Sequence, residues 1–76
     1  MTPNDTLDAC GLLCPLPVLK LRKRLKSLSI GETITVQADD PAAVIDVPHF
    51  CAEAGQELLS ATEANGIQTY VIRRTV

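Results

Sequence analysis

Two prolines, Pro15 and Pro17, stand directly behind Cys14 and directly ahead of a helical repeat. In that repeat Val18, Leu21, Leu25 and Leu28 recur on one stripe among Lys20, Arg22, Lys23, Arg24 and Lys26. Proline has no N–H and presets φ, so it suits the first turn of a helix, where the N–H groups lack intrahelical partners, and breaks a helix further in. The pair therefore fixes where the first helix begins and puts Cys14 at or beside its N-cap. A helix N-terminus carries partial positive charge and free N–H groups. The expectation is a surface thiol of lowered pKa, whose thiolate attacks other sulfur atoms.

Around that helix the chain is divided by its own turn residues. Residues 1–5 are polar with a proline and read as a loose end, and residues 6–10 fit a short strand. The first helix is expected over residues 15–28, closed by a loop that holds Gly31. Thr33–Ala38 alternates in the manner of a half-buried strand, with Ile34, Val36 and Ala38 facing the core. Asp40 before Pro41 is a capping signal. Asp46-Val47-Pro48 repeats it, which predicts a turn, a kink and a helix over about 47–54 ended by Gly55. Residues 56–63 and 67–74 read as strands joined at Ala64-Asn65-Gly66, a hairpin signal. The predicted order is β-α-β-α-β-β, a helix-covered sheet with both helices on one face and parallel strands across each right-handed crossover.

A chain of 76 residues makes a single domain spanning 1–76. Such a domain buries only about 60% of its unfolded surface, so its stability is marginal. Phe50 and Tyr70 are the only aromatics, so the core is aliphatic. A net charge of −2 weighs against a general nucleic-acid binder. Yet five of the seven cations fall between Lys20 and Lys26, the others being Arg73 and Arg74, so one basic helix sits on an otherwise acidic protein. Three cysteines do not close a disulfide framework. With no leader and no membrane-length apolar run, the expectation is a cytoplasmic protein whose thiols stay reduced.

Each chemically capable side chain has a functional and a structural reading. Cys14 is the nucleophile or a core cysteine, and the two prolines favour the first. Cys10 is a resolving thiol, a second sulfur site or a small residue at a strand end; its spacing from Cys14 is not the redox Cys-x-x-Cys. Cys51 groups with Val47, Phe50 and Ala54 and reads as core, His49 as solvent-facing, and Asp39, Asp40 and Asp46 as caps and turn-formers. No zinc-type spacing is present. Leu16 and Leu19 fall off the apolar stripe. With Lys20, Arg22, Lys23 and Arg24 they form a candidate partner-binding patch beside the nucleophile, where complementary charge speeds encounter with acidic partners.

The pattern Leu7-Asp8-x-x-Gly11-Leu12-x-Cys14-Pro15-x-Pro17-Val18 resembles the signature of the TusA/SirA-like sulfur-carrier family. The match continues through Gly31-Glu32-Thr33, Ala38-Asp39-Asp40-Pro41-Ala42 and Asp46-Val47-Pro48-x-Phe50-Cys51 to Ile72-Arg73-Arg74. The resemblance implies an α+β fold: a two-layer α/β sandwich with a four-stranded mixed sheet, like the C-terminal domain of the third translation initiation factor. It also implies a persulfide carrier. Cys14 takes sulfane sulfur from a pyridoxal-phosphate cysteine desulfurase, or a rhodanese-type donor, and passes it to the next cysteine of a relay. One known destination is 2-thiouridine in tRNA; oxidative sulfur, molybdenum-cofactor and selenium metabolism are others. The carrier itself needs no cofactor or metal, and its size suits a monomer in transient complexes, without membrane or direct nucleic-acid binding. Rival readings are a non-catalytic regulatory module, an RNA-binding domain and a thiol–disulfide oxidoreductase using Cys10 and Cys14.

Overall fold

The computed structural model describes residues 4–76. The elements run β1 (Asn4–Asp8), α1 (Leu16–Leu25), β2 (Thr33–Ala38), α2 (Ala43–Ala54), β3 (Glu57–Ala64) and β4 (Ile67–Arg73). This is the expected β-α-β-α-β-β order. The four strands form one mixed sheet in the order β1-β2-β4-β3, with β1 parallel to β2 and β4 antiparallel to both its neighbours.

One face of the sheet is covered by both helices. Ile34, Val36 and Ala38 on β2 and Tyr70 and Ile72 on β4 are buried there against Leu21 and Leu25 of α1 and Val47, Phe50 and Cys51 of α2. β3 lies at the far edge of the sheet and contributes only the half-buried Leu58 to that core. Tyr70 is buried with its hydroxyl donating to Gln68 Oε1 at 2.6 Å. The Gln68 amide in turn donates to the Asp40 carbonyl at 2.9 Å. A buried polar chain thus satisfies itself and braces the turn before α2.

Three boundaries differ from expectation, each for a physical reason. The first strand starts at Asn4 rather than residue 6, because residues 4–8 pair in register with residues 33–37 of β2. Asp5 is further tied by the Arg24 guanidinium at 2.8 Å. Of the expected loose end, residues 1–3 lie outside the described residues. Helix α1 ends at Leu25 rather than 28, and the Arg74 guanidinium takes over its terminal carbonyls, donating to those of Leu25 and Leu28. In place of a turn, a kink and a helix from about 47, α2 runs unbroken from Ala43 to Ala54 with Pro48 inside it. Proline there removes the N–H that would bond the Val44 carbonyl. Val44 is exposed, where a missing bond costs least.

Candidate functional site

Because β1 and β2 are parallel, the chain leaves both strands at the same end of the sheet. Residues 9–15 after β1 and residues 39–42 after β2 therefore meet, at the carboxyl ends of parallel strands where α/β sheets commonly build their sites. Side chains from the second loop hold the backbone of the first. The Asp39 carboxylate accepts from Gly11 N at 2.9 Å. Asp40 Oδ2 accepts from Cys14 N at 2.6 Å, and its Oδ1 accepts from Ala42 N at 3.1 Å. Asp8 accepts from Cys10 N at 3.0 Å, so three carboxylates secure three amides of one loop. Gly11, at φ 82°, makes a left-handed turn that other residues rarely adopt.

The loop delivers Cys14 exposed, one residue before the N-cap position of α1, which Pro15 occupies behind a cis peptide bond. Of the other thiols, Cys10 is half-buried at the strand end and Cys51 is buried in the core, as its position on α2 implied. The expected thiolate does not follow from the geometry. Pro15 and Pro17 carry no N–H, and the Leu16 N–H is spent on the Leu13 carbonyl at 2.9 Å. The prolines that fix the helix start thus remove two of the N–H donors that could hold an anion there, and a third is already bonded. In their place stands a carboxylate: Cys14 Sγ lies 2.9 Å from Asp46 Oδ2, in the first turn of α2. That hydrogen bond, then desolvation and the charges of Asp46 and Asp40, push the Cys14 pKa above the ordinary thiol value.

The cysteine opens onto a groove of about 250 Å³ between α1 and α2, lined by Pro15, Val18, Arg22, His49, Phe50 and Glu53 as well as by Asp46. The Arg22 guanidinium lies over the Phe50 ring at 5.5 Å from its centre. His49 points outward, as expected, and pairs with Glu53 at 3.1 Å. The groove continues along the seam between the helices past Arg22, Lys26 and Phe50 towards Val76.

The predicted patch divides. Leu16 and Leu19 are exposed, and among the described residues no ion pair holds Lys20, Lys23 or Lys26. Arg24 differs from them in having partners within the chain. It is committed to Asp5 at 2.8 Å and to the Thr6 carbonyl at 2.9 Å, because β1 begins early enough to bring an acid beneath α1. Sequence reasoning placed Asp39, Asp40 and Asp46 as caps and turn-formers. Asp40 does shape the turn, accepting from Ala42 N on its carboxylate and from Ala43 N on its carbonyl, but Ala42 is the N-cap of α2 with no side-chain capping bond, and Asp46 lies inside the helix instead of capping it. Their main partners lie on the first loop, a link visible in advance only by taking the parallel β1–β2 pairing seriously. Among the described residues no cluster of three or more His, Cys, Asp or Glu side chains is placed to hold a metal ion.

With this geometry in view, comparison with known proteins is specific. The family model described as sulfurtransferase TusA matches residues 5–74. The crystal structure of a SirA-like protein from Desulfitobacterium hafniense superposes with a TM-score of 0.81 at 26% identity, covering 93% of this chain and 97% of that one.

Proposed function

Since the chain belongs to the TusA sulfurtransferase family, we propose that it is a sulfur carrier that accepts sulfane sulfur as a persulfide on Cys14 and hands it to an acceptor cysteine. The supporting observation is that Cys14 alone of the three cysteines is exposed, on a loop fixed by carboxylates, at the mouth of a groove. The donor on this reading is a cysteine desulfurase or a rhodanese-type protein presenting a persulfide. Cys14 sulfur attacks the outer sulfur, a new S–S bond forms, and the bond to the donor's cysteine breaks with its electron pair on that sulfur. The Cys14 proton is lost and the donor thiolate gains one, so no net oxidation occurs. The acceptor repeats the step on Cys14. Leu16, Leu19, Lys20, Arg22 and Lys23 are the surface that meets these partners, with Pro15 and Pro17 setting the helix start beside the nucleophile. The relay ends in tRNA 2-thiouridine synthesis in the cytoplasm, the carrier working as a monomer. Among the described residues no helix is long and apolar enough to cross a membrane.

Intact-protein mass spectrometry after incubation with a cysteine desulfurase, pyridoxal phosphate and cysteine tests the reading. The expected result is a reductant-sensitive gain of one sulfur atom in the wild type and none in Cys14→Ser. Equal gain in both proteins, or none with either a desulfurase or a rhodanese-type donor, would overturn it.

A further inference from the structure

Persulfide transfer does not itself require the hydrogen bond between Cys14 and Asp46. We propose that Asp46 is the positioning residue of this site: its carboxylate accepts the hydrogen bond of the Cys14 thiol and keeps the sulfur protonated and turned toward α2 between encounters. The geometry is direct, at 2.9 Å from Sγ to Oδ2. It is also held from both sides. Asp40 fixes the Cys14 amide at 2.6 Å, and the first turn of α2 carries Asp46 within a continuous helix. Every charged group that faces the sulfur can be named. Asp40 adds a second negative charge from the turn before α2. Arg22 from α1 opposes it, but its guanidinium lies over the Phe50 ring. His49 and Glu53 on α2 contact each other at 3.1 Å on the rim of the groove. Of these groups Asp46 takes the thiol's hydrogen bond, and Asp40 acts on the sulfur in the same direction.

A protonated thiol is a poor nucleophile toward solution electrophiles and oxidants, because the thiolate is the reacting form. The same carboxylate disfavours Cys14 as a departing thiolate, and a more basic leaving thiol leaves more slowly. Resting on the carrier reading above, the inference is that Asp46 makes the free protein slow to react and, once loaded, slow to lose its sulfur to small thiols.

The test has two arms. In the first, the uncharged full-length protein is alkylated with iodoacetamide across pH 6–10, and each cysteine is followed by peptide mass spectrometry. In Asp46→Asn the Cys14 midpoint falls and its rate at neutral pH rises, while Cys10 serves as an internal reference. With a nucleophilicity slope of about 0.4–0.5, each unit of lowered pKa raises that rate by roughly threefold rather than tenfold. Asp46→Glu, which keeps the charge, moves the profile back toward wild type. Superimposed profiles, or a midpoint that rises, overturn the proposal. Asp46→Ala, with strong helix propensity, replaces the Asn variant if thermal unfolding shows that Asn does not fold. In the second arm, persulfide-loaded protein is discharged with 2-mercaptoethanol, and the Asn variant loses its sulfur several-fold faster. Wild type that fails to load counts against the carrier reading and leaves the alkylation result standing. Loading with unchanged discharge counts against Asp46.

Discussion

Cys14 and Cys51 carry the same thiol in opposite settings, and each setting can be titrated. Cys51 is 2% exposed on the buried face of α2, and burial pushes its thiol up to about 11. An unfolded thiol ionises near ~8.5. Between those values the folded chain keeps a proton that the unfolded chain has lost. The stability this contributes is fully present below the unfolded pKa and is lost as pH rises through the folded one. Urea unfolding midpoints are therefore expected to fall from pH 8 to pH 11, and to fall less steeply in Cys51→Ala. The Ala variant starts lower because it leaves a small cavity. Cys10, Cys14 and Tyr70 are shifted in the same direction, but they are present in both proteins and cancel in the comparison of slopes. Parallel slopes would show that Cys51 does not ionise on unfolding in this range.

Within single elements, the strongest local signals survived the tertiary structure. The Asn65-Gly66 turn has φ of 53° and 78° at its two residues, the left-handed pair that matches the twist of a hairpin. Nothing lies within 4 Å of a Cβ placed on Gly66, so only backbone strain opposes a side chain there. Gly66→Ala is expected to cost about 1–2 kcal/mol in chemical denaturation, and Gly66→Asn less, since Asn tolerates this conformation. The stripe of Leu21 and Leu25, the Gly55 stop and the alternation of β2 were equally legible, because each depends on residues close in sequence. Signals that needed a distant partner were not. Leu59 is the extra residue of a bulge, since Leu58 pairs with Ile72 and Ser60 with Val71. The pairing with β4 defines it, and nothing in Leu59 itself announces it. Pro48 argued for a break, yet Val47, Phe50 and Cys51 bury enough apolar surface to hold the helix through it. At the site the nucleophile and both prolines were legible. The aspartates that clamp its loop were visible only as local caps, because their partners are 26 to 32 residues away.

Across the whole molecule, charge is sorted by use. Arg24, Arg73 and Arg74 are engaged by the chain's own groups, on Asp5, Glu57 and the carbonyls at and after the end of α1. Lys20 and Lys23 remain on the exposed side of α1 and Arg22 at the edge of the groove, with Leu16 and Leu19 exposed near them and Cys14 just before the helix. On a chain of net charge −2 this leaves a small basic and apolar surface against an acidic remainder. Such asymmetry orients an encounter more than it tightens it, raising association rates that fall as salt rises. A double charge reversal, Lys20→Glu with Lys23→Glu, lies outside the groove that holds Cys14 and Asp46. It is expected to slow sulfur loading from a desulfurase by tenfold or more at low ionic strength, within the range that electrostatic steering spans. The deficit narrows as salt screens the surface over roughly a Debye length of 8–10 Å. Arg24→Glu is the informative control: it frees β1 from α1 and is expected to lower the melting temperature, which the outer reversals leave near wild type. Loading rates at physiological salt unchanged by the double reversal would place the donor's footprint elsewhere, along the Phe50 side of the groove rather than on α1.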